Sequence, residues 1–217
     1  PWSVRIDVPE RRLSELPAPY AMDIPGDVEA HGRFTGGTRE TLLGGVRGEL
    51  NGVFRYDADS DLGCARGRPR AALRMTLENG RTEVVVDGTV ADRRALRIQA
   101  NAATPVEAWI LAPPTRVPPV EVAMEVIDLD LNGVPLACRF ARGTATGRMH
   151  ALELFGATPS LDAHFAIADL EMEGSEPLDL VVELAADGEA VRGDVKMRDE
   201  GRIALSIQGE VPVHWGG

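Results

Sequence analysis

The chain has almost no lysine, few aromatic residues, two cysteines, and no recognisable catalytic or metal-binding signature. Lys196 is the only lysine among 23 basic residues. That bias reflects a GC-rich coding sequence more simply than a guanidinium-specific site. Aromatic residues make up 5% of the sequence, so a core has to be built from Val, Leu, Ile and Ala. It also leaves too few rings for a sugar-stacking platform, and Trp2, Trp109 and Trp215 are widely separated. The net charge of −11 excludes nucleic acid and an anionic membrane surface as main partners. No apolar run is long enough to cross a bilayer. The chain begins at Pro1 without methionine and carries no signal peptide, so it reads as a processed chain or an excised piece, from which an upstream signal or anchor would be missing. Cys64 and Cys138 allow one disulfide in an oxidising compartment or two separate thiols. Cys138, read as a small residue on an apolar face, favours the second.

No serine elbow, phosphate loop or Cys-His signature appears. Asp57-Ala-Asp59-Ser-Asp61-Leu-Gly63 has the alternate carboxylates of a calcium loop. Its glycine comes one position late, and Arg68 stands where the closing bidentate Glu belongs. Asp128-Leu-Asp130-Leu-Asn132-Gly133 matches the first six positions, yet its twelfth is Arg139. His31, His150, His164 and His214 show no metal-ligand spacing. Arg66, Arg68 and Arg70, with Arg93 and Arg94, are short basic spots that offset an acidic surface. No metal and no cofactor are expected. With 34 acidic residues, a convergent carboxylate pair on a β-sandwich would be the one route to an enzyme.

What the sequence does contain is paired alternation around tight turns. Asn132-Gly133 is a preferred two-residue hairpin turn. Folding there would put Ile127, Leu129 and Leu131 on one face with Val134, Leu136 and Cys138. Asp128, Asp130 and Arg139 would point to the other face. A second hairpin about Asn79-Gly80 pairs Leu73 with Val86 and Met75 with Val84. Around Asp187-Gly188, the residues Leu178, Leu180, Val182 and Leu184 meet Val191, Val195 and Met197. A three-residue loop, Asp199-Glu200-Gly201, aligns Met197 with Ile203 and Val195 with Leu205.

Further strands are expected over 2–8, 27–35, 45–56, 94–101, 105–111, 145–155 and 162–172. Pro9 is expected to end the first, and Arg11 to Leu16 to make one helical turn. The glycines of 26–52 suggest bulges or curvature. About a dozen strands and no three-turn helix give an all-β fold: an extended antiparallel sheet of meanders and hairpins. Its edges require strong twist or partial closure into a groove, barrel or sandwich. The chain reads as a single β-rich domain, 1–217, or as sub-halves 1–111 and 120–217 joined by the Pro-rich linker 112–119.

Trp2-Ser-Val-Arg-Ile-Asp-Val8, Arg12-Leu-Ser-Glu-Leu-Pro17 and the glycine-bounded strands Gly26 to Phe34 and Gly45 to Gly52 form a recognisable opening. With Leu77 to Val86, they resemble the periplasmic β-rich domains of the type II secretion protein N family and of related AsmA-like proteins. The resemblance covers residues 2–100 and is one of style. It implies an envelope location, an inner-membrane anchor upstream and an elongated sheet with an apolar groove. It further implies a role in lipid transport, outer-membrane assembly or secretion.

The expectation is therefore a non-enzymatic periplasmic β domain, structural or lipid-handling, in a bacterial envelope or secretion assembly. Its partners would be a lipid or acyl chain and envelope or secretion proteins, with no nucleic acid. Ile127, Leu129, Leu131 and Leu136 are the candidate ligand-facing residues. The alternative is a soluble barrel or sandwich that carries a small apolar ligand.

Overall fold

A computed structural model describes residues 2–12, 15, 26–37, 46–56, 68–78, 80–104, 118–134, 137–172 and 174–212. They form an all-β structure, a single antiparallel sheet of twelve strands arranged strictly in chain order. The strands are β1 Trp2–Arg12, β2 Gly26–Gly36, β3 Arg47–Tyr56, β4 Arg70–Glu78, β5 Arg81–Val90 and β6 Arg93–Ala103. They continue as β7 Val120–Asp130, β8 Ala141–Leu154, β9 Ser160–Met172, β10 Leu178–Ala186, β11 Ala190–Asp199 and β12 Arg202–Pro212. The sheet is not closed: β1 and β12 are its two edges. It also runs unbroken past the Pro-rich segment, because β6 pairs with β7 from Leu96–Val126 to Ala102–Val120.

Local chemistry sets the registers. Glu78 pairs with Arg81, and Leu73–Val86 and Met75–Val84 are opposite each other as expected. Leu180 meets Met197 and Val182 meets Val195. The turn between these two strands sits one residue later than expected, on Gly188 and Glu189, with Asp187 bonded to Ala190. Gly188 takes a φ of 88°, which suits the first position of a two-residue hairpin loop.

Four expectations are corrected. The strand from Trp2 does not end at Pro9 but runs to Arg12, with a register shift between Val8 and Arg11. Proline is tolerated there because the strand is an edge and the site a bulge. Residues 132–133 do not make a two-residue hairpin. The Asp130 carboxylate accepts from the Asn132 backbone N–H at 2.9 Å and from its side-chain amide at 2.8 Å. This capping winds Leu131–Gly133 into a 3-10 turn, a second such turn covers Ala137–Arg139, and pairing resumes at Asp130–Thr144.

The loop after β11 is also shorter than expected. Glu200 and Gly201 both have positive φ, Asp199 pairs with Arg202, and Ala204 is passed over in a bulge. Met197 therefore faces Leu205 and Val195 faces Ile207, two residues from the expected register. Finally, the strand glycines of β2 and β3 cause no bulge: that ladder is regular from Gly26–Tyr56 to Thr35–Arg47.

Cys138 is disulfide-bonded rather than a free thiol on the apolar face. The other cysteine, Cys64, lies outside the described residues. So do the expected strand 105–111 and the residues of the first calcium-like loop, 57–63. Of the expected helical turn 11–16, Arg11 and Arg12 belong to β1 and most of the rest also lies outside.

Candidate functional site

The sheet carries two chemically distinct faces. A single row of paired residues crosses all twelve strands as Ile6, Gly32, Leu50, Met75, Val84, Ala100, Val122, Ala151, Leu161, Ala186, Val191 and Val211. Every member is apolar or glycine. The row one residue away begins Asp7, His31, Asn51, Arg74 and ends Asp162, Ala185, Arg192, Glu210. At about 4.8 Å per strand spacing, the apolar row is roughly 50 Å long.

Nothing covers this apolar face among the described residues. Each strand packs extensively only against its sequence neighbours, so the described residues form no second layer. Among the described residues no large side chain is fully buried, and five of the nine buried apolar residues are alanines. Along β7 the apolar positions are half-buried and the alternate positions exposed, whereas in β5 and β6 both faces are half-buried along most of the strand. The chain exposes 14493 Å², whereas a compact monomer of 23.3 kDa exposes roughly 9,700 Å². This face is the candidate site.

Glycine shapes the face. Phe34 stands opposite Gly48 and Phe165 opposite Gly147. In both places a Cβ on the glycine would overlap the ring. The rings therefore lie across the neighbouring strand instead of standing upright, which covers backbone and lowers the relief of the face.

The opposite face is a mesh of exposed ion pairs. Three of the four histidines lie there, each beside a carboxylate on the adjacent strand. His31 meets Asp7 at 2.6 Å, His150 meets Glu121 at 3.3 Å and His164 meets Glu183 at 3.3 Å. Lys196 contacts Asp194 at 2.6 Å and Glu183 at 3.8 Å. The hydrogen bond from Lys196 lowers the Asp194 carboxyl below its usual value, and the same bond raises the Lys196 amine. A depression of about 510 Å³ there is lined by Arg148, His164, Glu183 and Asp194. Another of about 840 Å³ is lined by Thr76, Glu83, Asn101 and Glu121. Both open on the charged face, where Glu183 lies beside His164, Asp194 beside Lys196 and Glu121 beside His150, and Glu83 accepts from the Gln99 amide. Among the described residues no group of three or more His, Cys, Asp or Glu is placed to hold a metal. No helix among them is long and apolar enough to cross a membrane.

Comparison with protein-family models, with curated proteins and with solved structures finds no match. The site is therefore argued from the chain's own geometry.

The four residues read from the sequence as ligand-facing are dispersed. Leu129 pairs with Ala145 and lies on the apolar face. Ile127 does not share that phase: Val126, paired with Gly147, continues the row of Val122 and Met124. A register shift between Val126 and Leu129, with Asp128 at a φ of 41°, then returns Leu129 to the face. Leu131 belongs to the 3-10 turn, and Leu136 lies outside the described residues. From β7 to β11 the face is instead formed by Met124, Met149, Phe165, Val182 and Val195, among others. Period-2 alternation within each strand was the signal that could have found them.

Proposed function

We propose that the protein is a non-enzymatic β domain of the bacterial periplasm that handles lipid, or scaffolds an assembly that does. The single observation that carries this reading is the apolar row across all twelve strands, with no second layer over it among the described residues. In this reading the ordinary twist of a β-sheet turns that face into an open trough, and acyl chains are its cargo. Each buried CH₂ contributes about 0.8 kcal/mol. A chain of about a dozen carbons then binds without any polar contact, less the cost of ordering it. Small aliphatic side chains and flattened rings suit a featureless hydrocarbon and offer a sugar little to stack on. The disulfide at Cys138 supports an oxidising compartment. The resemblance to secretion protein N and AsmA-like domains supports an envelope setting. A carrier with an enclosed cavity is the weaker reading, because such a cavity needs closure and β1 and β12 are unpaired edges.

The test is solvent extraction and lipid mass spectrometry of the protein purified under native conditions. The expected result is acyl lipid in stoichiometric amount. Lipid-free protein that also fails to take up fatty acid from vesicles would refute the lipid role and leave scaffolding.

A further inference from the structure

We propose that the two edges of the sheet form one self-complementary interface, in which β12 of one copy accepts β1 of a second copy, antiparallel, so that the sheet continues head to tail. The exposed apolar side chains point to it. Trp2, Val4 and Ile6 of β1 and Leu205, Ile207 and Val211 of β12 make up six of the eleven large apolar residues that are exposed among the described residues. In the interior strands the same alternation is half-buried by a neighbour on each side. Both edges therefore have the composition of interior strands that lack one partner.

An edge of this kind is normally blocked by proline, lysine, a bulge or an inward charge. From Leu205 to Val211 β12 has none of these: its pairing to β11 is regular there, and its apolar-face positions hold Leu, Ile, Gly and Val. The Trp2 to Val8 part of β1 is equally regular. Every second residue of each edge therefore presents an unused N–H and C=O.

Topology selects the partner. Twelve strands in a simple meander leave β1 and β12 running in opposite directions with their apolar sides on the same face. A copy displaced along the stack continues the antiparallel ladder and the apolar face together. With Ile6 opposite Ile207 of the second copy, Trp2 meets Val211 and Val8 meets Leu205. Arg5 then faces Gln208 and lies diagonal to Glu210, and no like charges oppose each other. One such contact covers both kinds of edge, whereas joining two β12 edges leaves both β1 edges bare. The contact is heterologous, so it propagates as an open row or closes as a ring. It holds whether or not the apolar face carries lipid.

Sedimentation velocity across a wide concentration range, with Ile6→Lys and Ile207→Lys variants, tests this. Wild type is expected to form concentration-dependent oligomers. Each variant alone is expected to stay monomeric, with the wild-type strand signal in circular dichroism. An equimolar mixture is expected to stop at a dimer, because one variant keeps its β12 and the other its β1. A wild type that is monomeric throughout, a variant that still associates alone, or a mixture that remains monomeric would each overturn the proposal. Should either variant unfold, hydrogen exchange on the unmodified protein decides. Protection of β1 and β12 that rises with concentration supports the interface, and protection that does not change refutes it.

Discussion

Single side chains anchor this sheet at its turns. Asp187 is the clearest case. Its carboxylate accepts from Arg192 at 2.7 Å and from the backbone N–H groups of Glu189 and Ala190, each at 3.2 Å. The Arg192 hydrogen bond is the largest cause holding its carboxyl below the usual range, with the two backbone bonds next. An unfolded aspartate titrates near about 3.9. Whatever Asp187 adds to the hairpin is therefore complete above that pH and is lost as pH falls through the lower folded value. The Gly188 to Ala190 amides are expected to titrate with a midpoint below about 3.9, and to lose that titration in Asp187→Asn. An amide midpoint at or above the unfolded value would refute this role. The exposed pairs elsewhere, such as Arg142–Glu171 at 3.9 Å, contribute little individually.

At the scale of strands, fit between neighbours replaces a packed core. Phe165 lies over Gly147 with no room for a side chain between them. Gly147→Val is expected to destabilise by about 2 kcal/mol, in the range of overpacked sites. Gly209 on the edge has open space where its Cβ would be, so Gly209→Val should leave the denaturation midpoint near that of wild type. Equal losses at the two sites would show that the ring-over-glycine contact is not structural. The strands themselves were legible because period-2 alternation survives in nearly every one. The β4–β5 register was legible because a two-residue turn leaves no slack. The β7–β8 connection was not, since Asn132-Gly133 has hairpin chemistry but the Asp130 carboxylate captures it for a 3-10 turn. Bulges defeated the rest. A register shift changes which residues share a face, so Ile127 looked in phase with Leu129 while Val126 actually holds the place. No local residue type announced the shift at Ala204 either.

At the scale of the whole sheet, the described residues form a single layer with one apolar face, one charged face and two edges, β1 and β12. In the proposed reading, stability and lipid handling draw on the same surface, because the residues that would line a trough are also the ones that hold adjacent strands together. A substitution that merely unfolds the sheet therefore proves nothing, and the decisive comparison must change one face at a time. Val181 and Val182 provide it. They are adjacent in β10 and regularly paired on both sides. Val182 lies between Phe165 and Val195 on the apolar face, and Val181 between Ala166 and Lys196 on the charged one. The most direct test is acyl-lipid content by mass spectrometry of the natively purified Val181→Asp and Val182→Asp proteins, each confirmed as folded by its strand signal. The account predicts bound lipid near the wild-type level in Val181→Asp and its loss in Val182→Asp. Equal lipid content in the two folded variants would contradict it.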